Sequence, residues 1–240
     1  SRAELAAGGI VLSDPRTLVG AAAATGYGTA RAYPFSISPE GGVRLRLGAG
    51  RWWDAGSGGR AYDELSGTLA GFLPVPAWGF ANHVLAVRGA GILRQGPLAP
   101  VRSIGGTGSA DLAIGGDGTS FPVRGFSPGA RFGTRGWTAS AEWRFPIHMR
   151  GVPGRVLGFS LVAVSGALFA DAGNAWCTGA DRARPGFDGC AASPPPLVTA
   201  GAELKLDLGV FHSQRARLAM GVAQRIQGGT GPVFYFGTGF

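Results

Sequence analysis

The stretch GWTASAEWRFPI, residues 136–147, alternates with a period of two. Trp137, Ala139, Ala141, Trp143 and Phe145 fall in one set, and Thr138, Ser140, Glu142 and Arg144 in the other. A helix would mix the two sets around its circumference, whereas a strand sends them to opposite faces. The pattern recurs in LVTAGAELKLDLG, where Val198, Ala200, Ala202, Leu204, Leu206 and Leu208 oppose Thr199, Glu203, Lys205 and Asp207. It recurs again in GVRLRLGAGRW, with Val43, Leu45 and Leu47 against Arg44 and Arg46. Weaker versions complete a set of strands expected near 3–12, 17–32, 42–53, 63–73, 80–93, 134–146, 155–171, 197–210, 215–227 and 232–240. No amphipathic helix is expected between them, so the chain reads as all-β, with an antiparallel sheet of ten strands.

Composition narrows what such strands can build. Of 240 residues, 44 are glycine, well above the usual ~7%. They follow no three-residue period, which excludes collagen. Hydrophobic residues make up 45% and charged ones 15%, a balance that argues against disorder. No apolar run approaches the ~20 residues of a membrane-spanning helix. An apolar-leaning chain without such a run is what alternating strands produce. The net charge of +8 raises nucleic acid as a partner. Its basic residues are scattered singly, however: Arg44, Arg46, Arg51, Arg88, Arg124, Arg144 and Arg217, with Lys205 the one lysine. A wet interior or contacts with lipid headgroups account for that scatter, and no nucleic-acid partner is expected.

The connections point to a membrane. Alternate joins are short and rich in Pro or Gly: PFSISPEGG, PVPAWG, HMRGVPG and HSQ. Two of the others, 94–133 and 172–196, are long. Short turns at one end and long loops at the other characterise barrels of the bacterial outer membrane, whose strands need ~9–11 residues to cross. Trp52, Trp53, Trp78, Trp137, Trp143 and Trp176 are expected at the interfaces, as aromatic girdles, and Glu142, Arg144, Glu203 and Lys205 toward a polar interior. Residues 1–240 are thus expected to form one transmembrane β-barrel domain, with 94–133 as its long extracellular loop. The sequence opens at Ser1 without a basic or apolar leader, which suggests either a removed targeting segment or a part of a longer polypeptide. It closes on GPVFYFGTGF, with Phe234, Phe236 and Phe240 on one face.

Chemistry is sparse. Cys177 and Cys190 are the only cysteines. Two cysteines with no histidine nearby do not make a tetrahedral zinc site. A disulfide closing the loop, in an oxidising compartment, is one reading; two free thiols are the other. His148 and His212 fall in short turns. His83 with Asn82 and Ser66 nominally offers a serine-type arrangement, but no G-x-S-x-G elbow accompanies it. GGTGSADLAIGGDG, 105–118, has neither the Walker lysine nor a following helix and reads as loop. No enzyme, cofactor or metal is expected.

Three separated motifs carry a family resemblance. VRGF at 123–126, a strand ending AEWRFPI, and FADAGNAW at 169–176 occur in that order. The chain resembles the barrel of the BamA-type superfamily, which includes the bacterial surface-antigen domain, outer-membrane assembly factors and two-partner secretion transporters. The resemblance implies an outer-membrane location in a diderm bacterium and a sixteen-stranded barrel, of which this chain matches the last ten strands. Partner chains, further strands or periplasmic domains would complete it. It also implies that the loop of Val123, Arg124, Gly125 and Phe126 folds into the lumen. There Arg124 would meet Asp171, with Glu142 as a second candidate, on a wall also carrying Phe169 and Gly173. Phe236 and Phe240 would belong to the family's C-terminal recognition strand. The expected partners are outer-membrane lipids and outer-membrane or secreted polypeptides, and the expected activity is assembly or transport. A structural barrel module of a larger assembly is the alternative.

Overall fold

The computed structural model describes residues 17–33, 36–56, 59–77, 82–106, 122–149, 159–187, 189–210 and 214–239, with the backbone of 5–6 and 10–11. In chain order the elements are β1 (Leu5–Ala6), β2 (Ile10–Val11), β3 (Leu18–Gly28), β4 (Gly42–Asp54), β5 (Ala61–Val75), β6 (His83–Gln95), β7 (Arg102–Ile104), β8 (Arg131–Gly133), β9 (Arg135–Met149), β10 (Phe159–Trp176), α1 (Gly179–Arg182), β11 (Leu197–Val210), β12 (Gln214–Gln227) and β13 (Pro232–Gly239). One antiparallel sheet contains nine of the strands, in the order β13-β12-β11-β10-β9-β6-β5-β4-β3. Neighbours in space are neighbours in sequence, apart from the long excursion between β6 and β9.

The expected first strand, 3–12, lies mostly outside the described residues. Two two-residue strands pair with each other there, Leu5 with Val11 and Ala6 with Ile10. Among the described residues the wall has nine strands. The shortest of the nine has 8 residues and the longest 18.

The alternation read in the sequence becomes two faces. On the outer face stand Leu45, Leu47, Leu65, Leu69, Leu73, Trp137, Trp143, Leu168, Met220, Phe234 and Phe236, all exposed. A contiguous apolar surface on this scale marks a face that meets something other than water. On the inner face Glu142, Arg144, Asp171, Thr199, Glu203 and Lys205 are buried. Adjacent residues of a strand face opposite ways, which corrects the assignment of Trp52 to a girdle. Trp53 is exposed on the outer face. Trp52 turns inward and stacks on Tyr62 with ring centroids 5.0 Å apart. Trp78 lies outside the described residues.

The expected loop 94–133 begins and ends within two residues of the observed limits, since β6 runs to Gln95 and β9 starts at Arg135. Its feet form a small ribbon, β7 with β8. Beyond the ribbon, Gly106 pairs with Val123 in an isolated bridge. Ile104, Val123 and Phe126 join Ile92 of β6, Ala175 of β10 and Leu197 of β11 in one apolar cluster. The described part of the loop thus lies on the inner face and carries part of the core with it.

A guanidinium seat on the inner wall

The segment from Val123 to Phe126 makes a tight turn, closed by a hydrogen bond from Phe126 N to Val123 O. Gly125 has a φ of +88°, and a Cβ there would lie 2.7 Å from the Cβ of Ala223. Both the left-handed backbone and the close wall require glycine at that position. The turn aims Arg124 at the wall, where its side chain is buried.

Asp171 receives it. Arg124 donates from Nε to Asp171 Oδ2 at 2.7 Å and from Nη2 to Oδ1 at 2.7 Å. The backbone N–H of Arg124 adds a third donor to Oδ2 at 3.2 Å. This bidentate fork fixes orientation as well as attraction. Nη2 also donates to Ser140 Oγ at 3.2 Å, and Nη1 lies 2.9 Å from Glu142 Oε1 and 3.7 Å from Glu203 Oε2. Below the guanidinium lies the ring of Phe169, 3.7 Å from Cζ to the centroid, a cation–π contact in a desolvated site. Burial works against the charge of Arg124. The Asp171 hydrogen bonds, with the charges of Glu142, Asp171 and Glu203, outweigh it and raise the pKa above the ordinary arginine value.

Strand register explains why these groups converge. Asp171 of β10 is opposite Ser140 of β9, and Phe169 is opposite Glu142. On the other side Asp171 faces Thr199 of β11. Glu142 is the hub: Arg144 Nε lies at 2.7 Å, Arg124 Nη1 at 2.9 Å, Arg88 Nη2 at 3.1 Å and Lys205 Nζ at 3.7 Å. Glu203 in turn accepts from Tyr235 OH at 2.7 Å and pairs with Lys205 at 3.1 Å. Such a network lets carboxylates and guanidinium sit buried together, since each charge has partners.

Glycines clear the wall for the loop. At Gly173 a Cβ would come within 2.8 Å of Val123 Cγ2 and 2.9 Å of Thr138 Cγ2. At Gly201 it would meet Val222 O at 2.0 Å and Phe169 Cζ at 2.7 Å. Phe126 packs at the loop tip with the guanidinium of Arg225 over its ring, 5.3 Å away, while Arg225 Nε donates to Gly125 O at 2.8 Å. Glu142, Phe169, Asp171 and Gly173 are thus brought together around Val123, Arg124, Gly125 and Phe126. Arg225, Tyr235, Glu203, Lys205 and Arg88 complete the seat, and sequence reading did not single them out for it. Their inward parity was visible, but their convergence depends on registers across six strands.

A second loop braces the first. Cys177 and Cys190 form a disulfide, with Cα atoms 5.8 Å apart. Inside it, α1 starts with a capping box: Asp181 N donates to Thr178 Oγ1 at 3.3 Å, and Thr178 N donates to Asp181 Oδ2 at 2.9 Å. The same Oδ2 accepts from Thr134 Oγ1, at the foot of the long loop, at 2.7 Å. Burial alone would raise the Asp181 pKa, but the hydrogen bonds from Thr178 and Thr134 win and hold it below the usual carboxylate value. Arg184 Nη1 donates to Ala99 O at 2.9 Å, and Arg131 Nη1 to Asn174 Oδ1 at 3.0 Å and to Pro195 O.

The residues of the nominal serine-type arrangement do not meet. Ser66 is on the inner face opposite Ile92, nine positions along β6 from His83, roughly 30 Å at ~3.3 Å per residue. His83 packs on the outer face beside Trp143 and Phe145, and Asn82 donates to Glu40. Phe236 is exposed on the outer face of β13; Phe240 and His212 lie outside the described residues.

No family model matches the chain, and no curated protein matches it. Among solved structures, it is similar to BamA from Haemophilus ducreyi lacking POTRA domains 1–3, with a TM-score of 0.55 at 16% identity. That match covers 90% of this chain and 42% of the other, so the chain spans about two fifths of the length of the structure it resembles. The likeness is one of fold: a nine-stranded antiparallel wall of the kind found in a BamA barrel.

Proposed function

We propose that this chain is the wall of an outer-membrane barrel of the protein-assembly and translocation type, with its VRGF loop latched inside the lumen. The observation that carries this reading is the buried, bidentate Arg124–Asp171 pair. It joins the VRGF loop to the F-x-D-x-G strand, and these are the motifs on which the sequence resembles the BamA-type superfamily. The exposed apolar outer face supports contact with outer-membrane lipid, and the polar inner face supports a wet lumen. The clients are outer-membrane or secreted polypeptides, and periplasmic domains or partner strands complete the machine. The alternative is a structural barrel module without transport.

The test is complementation in a diderm host, with limited proteolysis of the long loop in the same cells. Arg124→Ala and Asp171→Ala are expected to expose the loop and lower client assembly while the barrel still folds. Wild-type function and unchanged loop protection in both variants would remove the basis for the proposal. An exposed loop with undiminished growth would favour the structural module.

A further inference from the structure

The inner face is not uniform. On β9 to β13, inward charges of both signs are matched, and a polypeptide loop lies on them. On β3 and β4 the inward positions are Leu18, Gly20, Ala22, Ala24, Gly26 and Gly28, then Arg44, Arg46, Gly48, Gly50, Trp52 and Asp54, as the register of Tyr62 with Trp52 and of Ala70 with Arg44 sets them. Arg46 is exposed and Arg44 half-buried. Among the described residues neither has a carboxylate partner; Arg44 instead sits over the ring of Phe72, 5.9 Å away. The carboxylates on the inner face of β4 and β5 lie toward the long-loop end. Asp54 accepts from Gly56 N there, and Glu64, opposite Gly50, is bound to Arg94 at 2.6 Å. Along the row Gly28, Arg44, Ala70, Arg88, Ser140, Asp171, this basic surface begins where the Arg124 seat ends.

We propose that the inner face of β3 and β4 around Arg44 and Arg46 is a docking surface for an acidic, extended polypeptide segment. Such docking rests on the barrel-wall reading above, because it needs this face to open on the lumen. Two observations set the occupant. First, the molecule already binds polypeptide on this side of the sheet with the signs reversed, acidic wall groups holding a basic loop. Second, on the β3 side of the two guanidinium groups the floor is almost bare. Gly26 and Gly28 leave a Cβ with only ordinary contacts, and β3 is exposed throughout. A backbone can therefore lie close to the sheet while its carboxylates reach Arg44 and Arg46. Lipid would meet the opposite, apolar face.

The test uses the full chain, folded in neutral detergent, and a fluorescein-labelled twelve-residue peptide of alternating Glu and Ser, with a Lys/Ser peptide as control. Fluorescence anisotropy is expected to show salt-sensitive binding of the acidic peptide alone. R44Q/R46Q is expected to weaken it by about tenfold, the scale of losing complementary charges at an interface, and R51Q on the outer face of the same strand to leave it unchanged. Sheet circular dichroism and heat-modifiable gel mobility of the same samples report the wall itself, so a failed barrel is told apart from a failed docking surface. Unchanged affinity in R44Q/R46Q, an equal loss in R51Q, or equal binding of the lysine peptide would overturn the proposal. Displacement of the peptide by dispersed phosphatidylglycerol at lower concentration than by unlabelled peptide would assign the surface to lipid and overturn it too.

Discussion

Strands β9 to β13 and strands β3 to β6 follow the same alternation and differ in what stands on their inner face. In the first group Glu142, Asp171, Glu203 and Lys205 are buried under a loop that supplies Arg124. In the second, β3 is exposed along its whole length, and among the described residues Arg44 and Arg46 have no carboxylate partner. Period two therefore makes a wall, but it does not make a seat. A seat also needs inward charges that cancel across strands, and gaps such as Gly173 and Gly201 into which large neighbours fit.

The comparison is most exposed to the loss of Arg124. Arg124→Ala strands buried carboxylates, and breaking such a pair costs about 3–5 kcal/mol. Amide exchange and protease cleavage are expected to show the loop undocked, whereas Arg44→Ala leaves the same signals unchanged. Replacing both Cys177 and Cys190 with serine comes next. A closed loop of this size is worth roughly 3 kcal/mol in the chain-entropy model. The expected result is cleavage within 178–189 and looser protection at the feet of the long loop. Third, Gly201→Ala forces a methyl against Val222 O and Phe169, an overpacking cost of about 1–3 kcal/mol. Gly26→Ala, whose Cβ meets only Leu45 O at 3.5 Å, is expected to leave the heat-modifiable transition in place. The smallest effect is that of pH on the brace. Because the folded pKa of Asp181 is depressed, its contribution is full above the ordinary aspartate value of about 3.9. It fades as pH falls through the lower folded value. Exchange protection at Thr134 and Thr178 is expected to hold at pH 5, to drop only in stronger acid, and to lose that dependence in Asp181→Asn.

Much of this was legible in the residues. The alternation from Trp137 to Phe145 places Glu142 inward, and the spacing of Phe169, Asp171 and Gly173 puts all three on one face, because parity is a local property of a strand. The disulfide was one of two open readings, since thiol pairing depends on where the loop brings Cys177 and Cys190. The hub around Glu142 was not legible. Arg88 and Lys205 reach it only through registers that a linear sequence does not state. Helix α1 was missed because four residues show no periodicity, although Thr178 and Asp181 at capping-box spacing were a signal in plain view.

The two edges of the wall carry one further consequence. With every neighbour antiparallel and nine strands in the row, β3 and β13 run in the same direction. Joined directly, they could meet only as parallel neighbours. A seam that stays antiparallel all the way round needs an odd number of additional crossings between them, whoever contributes those crossings.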